Sequence, residues 1–161
     1  MAEITTGFSW PVRVYYEDTD NAGVVYYANY LKFMERARTE WLRSFGLEQD
    51  KLAAELGIIF AVRSMQVDYH KPARFNQLLS VSAEVVETGR ASMTFNQEVI
   101  VSNENVSNKN IETITKGEEA KTVKPGEVLC RGVIKIACLD ATTLKPCAIP
   151  EPVREEILSV S

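Results

Sequence analysis

Three acids stand close together in the stretch Tyr15–Tyr30, YYEDTDNAGVVYYANY: Glu17, Asp18 and Asp20. They fall between a valine- and tyrosine-rich segment, which reads as a strand, and a run with helical spacing. TDNAG is a cluster of turn formers, and Gly23 permits a tight backbone approach. The first turn of a helix leaves N–H groups without intrahelical acceptors. A carboxylate beside such N–H groups can serve acyl chemistry. The N–H groups polarise a carbonyl and hold a developing oxyanion, while the carboxylate attacks the carbon or activates a water. Acids and Asn ahead of a helix also act as caps, so the local pattern has a purely structural reading too.

The elements that must position this loop are legible from periodicity. Tyr30, Phe33, Met34, Ala37, Trp41 and Phe45 recur at spacings of three and four, which predicts a helix over Ala28–Phe45 with Gly46 as its C-cap. The pairs Glu35–Arg38, Arg36–Glu40 and Glu40–Arg43 sit at supportive spacings, and Arg36, Arg38 and Arg43 read as a solvated face. A shorter helix is expected over Gln49–Glu55, ended by Gly57. Strands are expected over Val12–Asp18, Ile58–His70, Leu78–Thr88, Ala91–Val101 and Val128–Leu139, several of them alternating apolar and polar residues. One face of an antiparallel sheet needs cover, and one long amphipathic helix supplies it. The fold class is therefore α+β: an antiparallel sheet of about five strands wrapped around one long helix, the four later strands following as a meander. Residues 1–161 read as a single domain. The polar tract Ser102–Gly126 reads as an extended hairpin insertion, a place where a protein partner could dock. Pro146–Ser161 reads as ending in a short, loosely held helix.

Composition removes several function classes. The chain has 161 residues, 45% of them hydrophobic and 25% charged, which fits a folded domain and not a disordered one. A net charge of −4 argues against non-specific binding to nucleic acid or to anionic membrane. No apolar stretch has membrane-spanning length, and no secretory signal is visible. Three cysteines without a CxxC pattern argue against a disulfide scaffold or a cysteine zinc site and for a cytoplasmic location. With His70 as the only histidine, a multi-histidine metal site cannot be built, and no GxSxG accompanies it. His70 reads as a surface or interface residue, and Cys130, Cys138 and Cys147 as small apolar groups.

The run YEDTDNAGVVYYANYLKFMERARTEWLRSFG resembles the signature of the hotdog-fold acyl-CoA thioesterases, in the branch of 4-hydroxybenzoyl-CoA thioesterase and the Tol–Pal-associated, YbgC-like enzymes. The pattern D-x-x-G-x-V-x-[YH]-x-x-Y is filled by Asp20, Gly23, Val25, Tyr27 and Tyr30. Likeness continues more loosely through VDYHKPARFNQLLSVSAEV and GRASMTFNQEV to GVIKIACLD. The resemblance implies an acyl-CoA thioesterase acting on a short-chain or aromatic acyl group, with Asp20 as catalytic carboxylate. It implies the backbone N–H of Tyr27 as oxyanion donor, Gly23 and Val24 as shapers of the turn, and Tyr16 as a site tyrosine. Tyr27 stands where many YbgC-like enzymes have His, while the 4-hydroxybenzoyl branch has Tyr there. No metal or organic cofactor is implied. Relatives of this kind pair two sheets edge to edge with the site between subunits, so a homodimer or homotetramer is expected. Arg90 and Ser92, in GRAS, are candidates to meet the phosphates or pantetheine arm of coenzyme A. Phe33, Phe60 and Met65 are candidates to line an acyl tunnel. The alternative is a non-catalytic module that binds acyl-CoA or acyl carrier protein.

Overall fold

The computed structural model describes residues 7–103 and 124–159. Five strands form one antiparallel sheet: β1 (Phe8–Arg13), β2 (Ile58–Tyr69), β3 (Leu78–Thr88), β4 (Ser92–Val101) and β5 (Val128–Asp140). The helix α1 (Asn29–Arg43) lies on its concave face. A short α2 (Gln49–Lys51) runs on into a π-helical turn, Leu52–Leu56, and α3 (Glu151–Leu158) follows the last strand. Of the expected insertion Ser102–Gly126, residues 104–123 lie outside the described residues. Its base is a hydrogen-bonded continuation of the β4–β5 pair, with the Gly126 N–H on the Val101 carbonyl at 2.8 Å.

The strand order is β1-β3-β4-β5-β2. Only β3, β4 and β5 run as a meander; β2 lies outside β5, contrary to the four-strand meander read from sequence. The connecting residues 70–77 carry the chain across the end of the sheet. Three strand spacings amount to ~14 Å, and eight extended residues reach ~27 Å. The same connection could therefore have made a neighbour or a crossover, and length alone does not decide.

The first strand also differs from the sequence reading. It is Phe8–Arg13, not Val12–Asp18. Pro11 sits inside it, which an edge strand tolerates because a missing N–H is needed on one side only. Beyond Arg13 the chain tightens into a 3-10 turn, Tyr16–Asp18, because the Asp18 carboxylate accepts the Tyr15 N–H at 2.8 Å.

On α1 the expected apolar face is buried: Tyr30, Phe33, Met34, Ala37 and Trp41 are at most 5% exposed. The helix packs on β1, β3 and β4. Close approach to β5 is possible because Gly132 has no side chain; a Cβ there would come within 3.0 Å of the Met34 sulfur. Arg38 corrects the solvated-face reading. It is buried, and its Nη1 donates to Gln97 Oε1 at 2.8 Å. Gln97 occupies an inward position of β4, and its amide nitrogen donates to the carbonyls of Met34 and Ser82, each at 3.0 Å. A buried amide needs such complete pairing. The C-terminal helix is also firmer than expected: Val153 and Ile157 are fully buried, and Arg154 donates to the carbonyls of Gly89 and Arg90.

α1 leaves the inward face of β2 only partly covered: the Leu52–Leu56 turn packs on the strand and Ile58 is buried, while Phe60 and Val67 are half-buried. A register shift between Val62 and Ser64 inserts Arg63 as a bulge. Strict alternation puts Phe60 and Met65 on opposite faces. The bulge resets the parity, so Phe60, Val62, Met65 and Tyr69 oppose the inward residues Cys138, Ile136, Ile134 and Cys130 of β5. Val62 and Tyr69 are nearly half exposed. An apolar strip thus runs along the free edge of the sheet. Phe33, by contrast, is sealed in the core against Tyr30.

Candidate active site

Residues 14–28 fold into a compact loop in which Asp18 and Asp20 each have a local task. The Asp18 carboxylate holds the 3-10 turn, and its carbonyl accepts from the Tyr26 N–H and the Asn29 side chain, both at 2.9 Å. Asp18 is therefore structural. The next residues make a narrow ribbon: Thr19 bridges Val25, and the Asp20 N–H donates to the Val24 carbonyl at 2.9 Å. The Gly23 N–H returns to the Asp20 carbonyl at 3.0 Å, at a φ of +76° that an L side chain rarely adopts. Asp20 Oδ1 accepts the Ala22 N–H at 2.8 Å, an Asx turn that fixes its side chain. Its second oxygen accepts no hydrogen bond among the described residues, and Asp20 is exposed in the single chain.

Val24 and Val25 tie the loop to the crossing segment, through a bridge from Val24 to Arg74 and the Val25 N–H on the Ala73 carbonyl at 2.8 Å. Ala73 in turn donates its N–H to the buried Tyr30 hydroxyl at 2.8 Å. Tyr27 stands two residues before α1. Its carbonyl accepts the Tyr69 hydroxyl at 2.9 Å, while its N–H has no acceptor among the described residues. The peptide that carries this N–H is held through the Tyr26 carbonyl, which accepts the Asn29 N–H at 2.9 Å, and the following peptide is held by Tyr69. A free N–H fixed in this way ahead of a helix is the arrangement an oxyanion donor needs. A cavity of about 250 Å³ adjoins it, lined by Val25, Tyr27, Tyr30, Tyr69, His70 and neighbouring residues.

Burial pushes the phenols of Tyr30 and Tyr69 above the usual tyrosine value, and the hydrogen bond and charge of Tyr27 push Tyr26 the same way. These three tyrosines are neutral donors and not bases at neutral pH. Carboxylates are then the basic groups of the loop. Glu17 and Asp20 are both exposed with oxygen left open among the described residues, and Asp20 is the one whose side chain an Asx turn fixes. Burial likewise raises the Cys130 and Cys138 thiols to about 12. That leaves them poor nucleophiles.

The sequence-derived residues do not all meet. Asp20, Gly23, Val24 and Tyr27 share one loop. Tyr16 belongs to the same loop, but its ring stacks on Phe75 with centroids 3.8 Å apart, and it makes no hydrogen bond to Asp20. Arg90 and Ser92 lie at the opposite end of the sheet, where the Gly89 N–H closes the hairpin onto the Ser92 carbonyl at 2.8 Å. Tyr69 was missed by sequence reasoning, as were Arg38 and Gln97. Its signal was its place as the last residue of a strand ahead of Pro72. His70, read as a surface residue, is exposed yet borders the Tyr27 cavity.

A family model described as "Thioesterase superfamily" matches residues 22–107. The acyl-CoA thioesterase YbgC of Haemophilus influenzae is 37% identical over 151 residues, covering 94% of each chain. The acyl-CoA thioester hydrolase YbgC of Escherichia coli is 38% identical over 152 residues, covering 94% of this chain and 96% of its own. Among solved structures, a probable thioesterase from Bartonella henselae superposes with a TM-score of 0.70 at 28% identity, covering 88% of this chain and 98% of its own.

Proposed function

The chain belongs to the thioesterase superfamily, with the hotdog fold and the activity class of a thioester hydrolase, and from that premise we propose that it hydrolyses a short-chain or aromatic acyl-CoA to the free acid and coenzyme A. The observation that carries this reading is the unpaired N–H of Tyr27 at the head of α1, on the same loop as the open carboxylate of Asp20. The thioester carbonyl accepts from that N–H, so negative charge developing on oxygen meets a donor already in place. Asp20 then works by one of two routes. It attacks the carbonyl carbon, expelling the CoA thiolate and leaving a mixed anhydride that water cleaves. Otherwise it takes a proton from water, which adds to the carbon before the thiolate leaves. Tyr69 holds the Tyr27 carbonyl, one peptide beyond the donor N–H, and Gly23 and Val24 fix the turn. Tyr16 is assigned to the rim of the site. Thioester hydrolysis needs no metal or organic cofactor given these groups.

The active form is assigned as a homodimer or a pair of dimers, meeting at the free edge of β2. Unpaired edges invite pairing, and a two-fold axis makes that pairing antiparallel. The Tyr69 end of one β2 then lies beside the Ile58 end of the other. Within one chain Phe60 and Tyr69 are about 30 Å apart along the strand, so this pairing brings the loop of one protomer to the opposite sheet end of its partner. It supports a reading in which Arg90 and Ser92 meet coenzyme A across the interface and not within one chain. Free thiols at Cys130, Cys138 and Cys147 fit a cytoplasmic home.

Thiol release from a panel of short-chain, aromatic and long-chain acyl-CoA thioesters tests the proposal. Turnover of at least one short or aromatic member is expected. Tight binding with no thiol release would replace the hydrolase by an acyl-CoA binding module.

A further inference from the structure

A second cavity, of about 280 Å³, opens between the middle of α1 and the first half of β2. Phe60, Val62, Met93 and Phe95 give it apolar walls, and Arg38 lies in its lining. Arg38 is 7% exposed, and no carboxylate stands within 4 Å of it among the described residues. Its one hydrogen bond goes to a neutral amide, Gln97. Gln97 is itself held by two backbone carbonyl contacts and cannot swing away. Burial pulls the Arg38 guanidinium below its ordinary value, the sign of a cation short of solvent; the field of Glu35 opposes this only in part. A buried charge is tolerated when a counter-charge completes it. The other guanidinium nitrogens have no protein acceptor among the described residues, and they are not sealed from the cavity.

We propose that this cavity is an acyl pocket that selects acyl groups ending in a carboxylate, with Arg38 as its specificity-determining residue. The inference rests on the thioester hydrolase reading above. At ~30 Å³ for each water-sized group, the space holds about nine such groups. That suits a chain of five or six carbons with its terminal carboxylate. The pocket lies in the half of the sheet remote from its own Tyr27, so it serves the loop of the partner protomer in the edge-paired dimer. Apolar walls desolvate the chain, and the guanidinium forks onto the carboxylate. Glu35, exposed at the rim, opposes the incoming anion and sets a limit on the preference.

The test compares adipoyl-CoA with hexanoyl-CoA, equal in length and differing in a terminal carboxylate against a methyl. The wild type is expected to favour adipoyl-CoA at least tenfold in kcat/KM. Arg38→Met is expected to abolish that preference through KM, and Arg38→Lys to restore part of it. Glu35→Gln, a change at an exposed position, is expected to raise the preference two- to fivefold. Brisk hydrolysis of both thioesters by the wild type with no carboxylate preference overturns this inference and leaves the hydrolase intact. So does a Glu35→Gln variant whose preference is unchanged. Thiol release from neither substrate, nor from the wider panel, overturns the hydrolase reading and this one with it.

Discussion

Replacing Asp20 by asparagine removes one charge and almost nothing else. The side chain keeps its shape, and its carbonyl oxygen can still accept the Ala22 N–H now held at 2.8 Å. The backbone bonds between Asp20 and Val24 and between Gly23 and Asp20 do not involve the side chain. Asp20 is exposed, so the stability change belongs to the surface class, within about 0.5 kcal/mol. The rate should respond very differently. An amide neither attacks a thioester nor takes a proton from water, and loss of a positioned base costs ~10²–10⁴ in rate. At 1.36 kcal/mol for each tenfold, that is about 3–5 kcal/mol of transition-state stabilisation. Asp18 provides the contrast two residues away. It is buried and caps the 3-10 turn, so Asp18→Ala should cost about 1–2 kcal/mol of stability. The assay is thiol release from an acyl-CoA beside thermal melting of each variant. A kcat/KM for Asp20→Asn within threefold of wild type would refute the assignment of Asp20, whatever the melting curve shows.

Tyr69→Phe deletes the hydroxyl that holds the Tyr27 carbonyl. A hydrogen bond worth about 0.5–1.5 kcal/mol predicts a two- to tenfold fall in kcat with little change in KM; an unchanged kcat would remove Tyr69 from a positioning role. Sedimentation at micromolar concentration should show two or four copies, and Val62→Asp with Met65→Lys on the exposed strip should give a monomer with little activity. A fully active monomer would show that the site is complete in one chain. The Cys130 and Cys138 thiols are raised to about 12 in the folded protein. Since the unfolded thiols ionise near ~8.5, their contribution to stability is complete below that pH and is lost as pH rises toward 12. A pH series of melting curves should therefore fall above pH 9 more steeply than in the variant Cys130→Ala with Cys138→Ala, and equal slopes would contradict the burial effect.

The helix and the three strands β3, β4 and β5 were legible because each keeps one period over most of its length, the register shifts at Val85–Glu87 and Val99–Ile100 falling near strand ends. Their observed bounds, Asn29–Arg43, Leu78–Thr88, Ser92–Val101 and Val128–Asp140, lie within two residues of those read from sequence. What failed depends on partners distant in the chain. β1 was misplaced because Pro11 resembles a breaker until β3 is known to pair on one side only. β2 was placed beside β3 because nothing in HKPARFNQ states how far it travels. The bulge at Arg63 has no signal in the sequence, and without it Phe60 and Met65 would fall on opposite faces of β2. Arg38 carries the i,i+3 and i,i+4 spacing of both faces of α1, and only the inward Gln97 reveals which face it takes. In the candidate site, Asp20, Gly23 and Tyr27 were readable from their order in one loop. The Tyr69 hydroxyl was not, since it comes from the far end of a different strand.

The loop that carries Asp20 is fastened mainly by residues made much later in the chain. Tyr27 is gripped by a side chain 42 positions on, and Tyr30 by a main-chain group 43 positions on. Tyr69 ends β2, which pairs with β5 across segments more than sixty residues apart. Such distant closures form slowly, because chain entropy opposes them until neighbouring contacts exist. The helix can therefore coil and the central ribbon zip while the loop of Asp20 is still without its long-range ties. The final shape of this loop is thus expected to be a late acquisition of the folding chain, after its last long strand has paired.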